Sequence, residues 1–403
     1  MAALSNPYDS LYALVIVATA FLCAHFLAKN EEFASKDRFP ALDGLRGFAA
    51  LFVFIHHSAI WWSYALGHPW TVPPSNLYTQ FGQGAVTTFF LLTSFLFWTK
   101  MGHSNGPSDW PRFFLGRMLR IAPLYMVTML LLVVVAYVSS PAKDALAHFS
   151  GQDLWHLLLF TFNGLPNLFG LSNTFVINAG VTWTLPYEWT FYLALPALAV
   201  IFRAQLRQYG LALVWIFLLA ALAHHYFSWH MLLIFPFGML VSDLVAAPVN
   251  QRLRDAVRGY AGSVLIVAIS GWIVWHDQTA YCDTALVGYA SIFFIVASGN
   301  SLFGLLTCKA ARKLGEISYS IYLLQGFGLY FTFEGLTVFD HDAMKSPWVH
   351  WLLVDLCGVV LLGVSALSYK LIEYPALNKG KAWGKALRSW IDAFKSTAQP
   401  SPD

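Results

Sequence analysis

Long apolar runs, each ended by basic residues, leave this chain few folds to choose from. A helix needs about 20 mainly apolar residues to cross a bilayer core, and about eleven stretches qualify. They are roughly 10–29, 42–65, 80–100, 113–139, 187–203, 209–224, 229–246, 258–275, 284–304, 316–336 and 348–371. The clusters at 29–46, 100–120, 203–207, 252–258, 309–313 and 370–395 hold every Lys and Arg except Lys143 and Lys345. With these spans the clusters all fall on one side of the membrane, which the positive-inside rule makes cytoplasmic. One helix missed or added would scramble the alternation. The expected fold class is all-α, a polytopic transmembrane helical bundle of about 11 helices, N-terminus outside and C-terminus cytoplasmic. Only 11% of the 403 residues are charged and 58% are hydrophobic. A soluble chain carries about a quarter charged residues, so soluble domains are excluded.

The first run, Leu11 to Leu27, has no basic residue before it. A secretory signal peptide would need one, so this run reads as a retained helix. The run 154–171 is broken by Asn163, Gly164, Pro166 and Asn167, and reads as a non-spanning segment of a long outer loop. The tail after Pro375 carries Lys379, Lys381, Lys385, Arg388 and Lys395 with Trp383 and Trp390. It suits a surface helix on anionic headgroups. Nothing in the sequence resembles a eukaryotic targeting signal, so the expected location is the inner (cytoplasmic) membrane of a cell, multi-pass.

Several chemistries find no support. The four cysteines show no paired spacing, and His224, His225 and His230 form no metal-binding spacing, so no metal is expected. Gly82-Gln83-Gly84 lacks the Lys-Ser/Thr of a phosphate loop. The basic residues form no groove interleaved with aromatics, so no nucleic acid is expected.

The second apolar run, LDGLRGFAALFVFIHHSAIWW, carries Arg46 and His57 eleven positions apart. That spacing is three turns plus about 20°, with about 16 Å along the axis, whereas His56 is rotated about 80° from Arg46. Arg46 would lie at the cytoplasmic boundary and His57 near mid-membrane, a depth at which an ionisable residue is costly. A donor with a phosphate head and a long arm suits the pair, the phosphate at Arg46 and the reactive end at His57. Topology anchoring and packing also account for it. Arg117 and Arg120 share a helix face at the same side and suit either phosphate or anchoring. Glu188, after Pro186 at the start of a helix, either favours the helix dipole or orients His57 or an acceptor hydroxyl. Trp183, Tyr187, Trp189 and Tyr192 around it are an interfacial aromatic belt or a sugar-stacking platform. Asp43 caps its helix or pairs with Arg46, and Asp355 must find a partner inside the last span. On these residues alone, a transporter or flippase lined by Arg46, His57 and Glu188 is the rival to an enzyme. Against it, the chain has no repeated half and no paired broken helices. A carrier that hands acyl groups across the membrane is a second rival.

Five segments in order, from residue 38 to 375, resemble the acyltransferase 3 family of integral membrane acyltransferases. They are LDGLRGFAALFVFIHH, matching an Arg-x10-His helix; GAVTTFFLLTSFLFW from Gly84; FFLGRMLRIAPLY from Phe113; TWTLPYEWTFYLALP from Thr182; and LGEISYSIYLLQ from Leu314, followed by LIEYP. The resemblance implies a ten-helix core. Residues 1–37 are then an added helix and connector, 38–375 the acyltransferase domain, and 376–403 a basic cytoplasmic tail. It implies O-acyl transfer from cytoplasmic acyl-coenzyme A, usually acetyl-coenzyme A, to a hydroxyl of an envelope or exported carbohydrate. The coenzyme is a co-substrate, and no tightly bound cofactor is expected. It carries over Arg46 and His57 as functional residues, His57 as the base or acyl-handling group, and Arg117 and Arg120 as a cytoplasmic pair; the residues themselves add Glu188 as a catalytic candidate that orients His57 or the acceptor hydroxyl. Arg46, Arg117 and Arg120 would bind acyl-coenzyme A, and Asp43 and Trp183 would support. Thr87, Thr93-Ser94, Gln325 and Tyr374 depart from the family pattern, Gln325 standing where the family often has His.

Overall fold

Apolar runs become helices in the order the sequence predicts. The computed structural model describes residues 6–29, 39–103, 110–203, 228–335, 346–380 and 383, and among them every regular element is helical. The helices are α1 (Ser10–Leu27), α2 (Pro40–Ala65), α3 (Asn76–His103), α4 (Trp110–Val138), α5 (Gly151–Leu158), α6 (Thr184–Arg203), α7 (Trp229–Ala246), α8 (Gln251–Arg258), α9 (Tyr260–His276), α10 (Asp283–Ala297), α11 (Lys309–Glu316), α12 (Ser318–Phe333) and α13 (Pro347–Ser368). The expected span 209–224, the histidines His224 and His225, and most of the basic tail lie outside the described residues.

Local chemistry sets several of the boundaries. Asp9 caps α1 by accepting from the Leu11 amide at 2.9 Å. Pro40 opens α2, where its missing amide hydrogen costs nothing. Ser150 and Asp153 form a reciprocal capping box on α5. At Gly259 the chain turns by 82° from basic α8 into apolar α9, so α8 lies across the bundle end rather than through it.

Among the described residues, five helices are long and apolar enough by themselves to cross a membrane, or six if the bent pair α8–α9 is one span. The sequence predicts more spans: 209–224 lies outside the described residues, α10 has only 15 residues, and the central helices fall short as well. Asp43, Arg46 and the two histidines lower the hydropathy of α2, and α12 is only 16 residues long. Both are buried among other helices, so they need not match lipid along their whole length. Helix α2 packs against α3, α11 and α12; α3 packs against α7; and α1 fills the angle between α11 and α13.

Ring contacts and hydrogen bonds give the directions. Phe39 meets Phe95 and Phe52 meets Phe81, so α2 and α3 are antiparallel. Trp61 stacks on Phe333 while Gly47 faces Gly315, so α2 runs alongside α11 and α12. Tyr319 donates to the Ile121 carbonyl and Tyr330 to Ser139, which aligns α12 with α4. Thus the starts of α2, α4 and α12 and the ends of α3 and α13 lie together at one end of the bundle, the end that carries Arg46, Arg117 and Arg120.

Helices α2 and α11 cross with their backbones in contact. A Cβ on Gly315 would come within 2.0 Å of the Asp43 carbonyl oxygen, and one on Gly44 within 2.0 Å of the Leu306 oxygen. Only hydrogen fits at such a crossing. Asp355, in the middle of α13, accepts from Thr19 of α1 at 3.3 Å. The helix outside the family resemblance therefore supplies a partner for this partly buried acid. The long segment between α4 and α6 is not a span. It is built of short helical turns, and its Asn178–Ala179 backbone touches α12 at Gly326.

Candidate active site

Of the cavities that α2 lines, two carry the arginines and histidines singled out in the sequence. The first, about 130 Å³, is at the arginine end. Arg46, Arg117, Arg120 and Glu188 line it with Thr93, Tyr192, Ser318, Tyr319 and Tyr322. The second, about 500 Å³, opens at the opposite end and is lined by His56, His57, Trp70, Gln83, Thr182, Trp183 and Tyr281, among others. Residues 182–185 belong to both walls, Thr182 and Trp183 to the second and Thr184 and Leu185 to the first. Tyr322 stands at that junction. Its hydroxyl donates to the Val181 carbonyl at 2.9 Å and meets the Thr184 hydroxyl at 3.0 Å.

The helix crossing aims Arg46. Its Nε and Nη2 donate to the Gly315 carbonyl at 3.2 and 2.9 Å, and Asp43 pairs with Nη2 at 3.4 Å. The remaining edge of the guanidinium is left for the cavity. Asp43 thus takes the pairing role that the sequence offered it. Arg117 lies 4.9 Å over the Phe97 ring.

Beneath this end lies a residue that sequence reasoning did not select. The last helix makes a π-helical turn at Tyr369–Glu373, and Glu373 is 1% exposed there. It accepts from the Ser320 hydroxyl and interacts with the charges of Arg120 and Arg46. The available signal was the acid in LIEYP, just past the last apolar run. Such turns often mark functional sites, because the extra residue redirects a side chain.

Glu188 corrects one expectation about geometry. It lines the arginine cavity, where it accepts from Tyr192 at 3.2 Å and faces Arg117 and Arg120. The residues that adjoin His57 are His56, Trp70 and Gln325. Glu188 follows α6 a full turn inward from Trp183, which carries it past the junction into the other cavity. Gln325 lies beside His57, yet His57 Nδ1 and Gln325 Oε1 are both buried without a well-formed hydrogen bond, as is Asn178 Nδ2 nearby. Trp183 is 40% exposed at the chamber rim, edge-on to Tyr187. Of the other aromatics, Tyr187, Trp189 and Tyr192 are buried, so they are packing residues rather than an interfacial belt.

The arrangement combines fixed cations at one end with imidazoles at the other, the two cavities lying on either side of residues 182–185. Comparison with known proteins places it. A family model described as an acyltransferase domain matches residues 39–369. The chain belongs to the acyltransferase 3 family. It is similar to nodulation protein 10 of Rhizobium leguminosarum bv. viciae, 26% identical over 371 residues, covering 83% of this chain and 92% of the relative. It is also similar to the acyltransferase MdmB of Streptomyces mycarofaciens, 33% identical over 167 residues, covering 40% of this chain and 38% of the relative. No solved structure matches. This acyltransferase is thus a multi-pass membrane protein, and its chemistry needs an acyl donor and a hydroxyl acceptor. The match begins at Phe39, after α1.

Proposed function

We propose that this acyltransferase moves an acetyl group from cytoplasmic acetyl-coenzyme A to a hydroxyl of an envelope or exported carbohydrate. The observation that carries the reading is the pair of cavities along α2, with Arg46, Arg117 and Arg120 in one and His57 in the other. Arg46 and His57 are separated by about 16 Å along the helix. Coenzyme A has phosphates at one end and a thioester at the end of a long flexible arm, which matches that separation. Guanidinium groups suit the phosphates because their donors form a planar fork. The thioester arm passes Tyr322 to reach His57, which handles the acyl group. The acceptor enters from the other end of the bundle, between Trp70, Trp183 and Tyr281, whose faces suit a sugar ring. The arginine end is cytoplasmic in this reading, as the distribution of basic residues supports.

The first test is release of coenzyme A from acetyl-coenzyme A by the purified full chain, with an envelope extract as acceptor. His57→Ala should abolish release, and Arg46→Ala should raise the donor KM while sparing kcat. Equal loss of donor affinity in both variants would overturn this division of labour. Wild-type protein that binds no acyl-coenzyme A would overturn the choice of donor.

A further inference from the structure

The chamber holds two imidazoles, and the fold sets the protonation form of the one that the resemblance passes over. His56 Nδ1 lies 2.7 Å from the Tyr78 carbonyl oxygen. A carbonyl oxygen only accepts, so the proton sits on Nδ1, and in the neutral ring Nε2 carries the lone pair. That carbonyl is itself held in place. Tyr78 is fully buried, and its hydroxyl donates to the Asp9 carbonyl at 2.8 Å. His56 is 7% exposed and lines the chamber. Its ring lies against Gly82, where a Cβ would fall 2.6 Å from Nε2. The His57 ring is 5.2 Å away at 64°. In the His57 ring, by contrast, Nδ1 is buried without such a partner.

We propose that His56 is a second catalytic residue of this acyltransferase, the base that takes the proton of the acceptor hydroxyl, while His57 serves the acyl side. The inference rests on the reading of the chamber as the site of transfer. As the hydroxyl oxygen bonds to the thioester carbonyl carbon, its proton passes to His56 Nε2. The carbon–sulfur bond then breaks with its electron pair going to sulfur. The imidazolium returns the proton to the thiolate, leaving an ester, a thiol and neutral His56. Between the two transfers the Tyr78 carbonyl accepts from a charged ring, and a charge-assisted hydrogen bond is stronger than a neutral one. A base oriented by a fixed acceptor on its other nitrogen is the arrangement that general-base catalysis requires.

His56→Asn separates holding from proton transfer. The asparagine amide occupies the place of Nδ1 and can still donate to the Tyr78 carbonyl, but nothing remains at the position of Nε2. The expected result is a loss of kcat of about 100-fold or more, the usual contribution of a general base, with donor KM within about twofold of wild type. His56→Gln, likewise without a base, should behave the same way, and added imidazole should restore part of the rate to His56→Ala. Wild-type kcat in either amide variant would show that His56 only anchors Tyr78, and the proposal would fall. The two readings fail separately. If the wild type transfers nothing, the proposed function fails; if the wild type transfers and His56→Asn equals it, only this inference fails.

Discussion

Replacing Gly315 with alanine tests the link between helix packing and donor binding. The new Cβ would lie 2.0 Å from the Asp43 carbonyl oxygen, 2.6 Å from its carbon and 3.3 Å from Cα. All three are backbone atoms, so no side chain can swing aside. Restoring ordinary contact means parting α2 and α11 by roughly 1–1.5 Å, and overpacking of this kind costs about 1–3 kcal/mol. The same shift carries the Gly315 carbonyl away from Arg46, whose two hydrogen bonds to it now measure 2.9 and 3.2 Å. A further ångström takes both beyond bonding distance. A hydrogen bond from a charged group is worth about 1.5–3 kcal/mol, so a misaimed Arg46 should raise the donor KM by roughly 10- to 150-fold. The assay is thiol release against donor concentration, paired with a thermal melt in detergent. Gly271→Ala is the control, since a Cβ there meets nothing within 4 Å. A Gly315→Ala protein with wild-type melting and wild-type donor KM would refute the account of how Arg46 is aimed.

Two further outcomes are expected. Glu373→Gln removes the buried negative charge facing Arg46 and Arg120 but keeps the hydrogen bond from Ser320, so donor KM should change more than kcat in a donor titration. Asn300→Ala should lower stability by roughly 2–3 kcal/mol, read as a lower melting temperature, with kcat unchanged at low temperature. That side chain is fully buried, donates to the carbonyls of Val257, Arg258 and Gly259, and accepts from Ser263 and the Leu302 amide.

Much of the bundle was legible because hydropathy and basic residues record the same thing, the position of each segment across a membrane. The Arg46–His57 spacing could be read from one helix, since both residues lie on α2 and its geometry is fixed. Asp43 was legible for the same reason, one turn from Arg46. What could not be read was depth between helices. Glu188 was expected to orient His57 or an acceptor hydroxyl, yet it lines the arginine cavity. His56 was set aside because it points about 80° from Arg46. The chamber, however, is wide enough that His56 and His57, neighbours on α2, both line it. Partners for Asp355 and the Tyr78 hydroxyl come from α1 and its capping residue Asp9, more than sixty residues away in sequence in each case. Nothing local announces contacts at such a distance.

The π-helical turn at Tyr369–Glu373 has a consequence for how this chain tolerates changes in length. A π-helical turn holds one residue more than the α-helical turn it replaces, over nearly the same rotation and rise. The extra residue is therefore absorbed without turning the segment that follows, and Gly380, where a Cβ would come within 3.2 Å of Leu119, keeps its place against α4. Deleting one residue from the turn should leave that segment in nearly its present orientation. What would be lost is the local widening that turns Glu373 toward Ser320 and the arginines, so the deletion should raise the donor KM with little change in melting temperature.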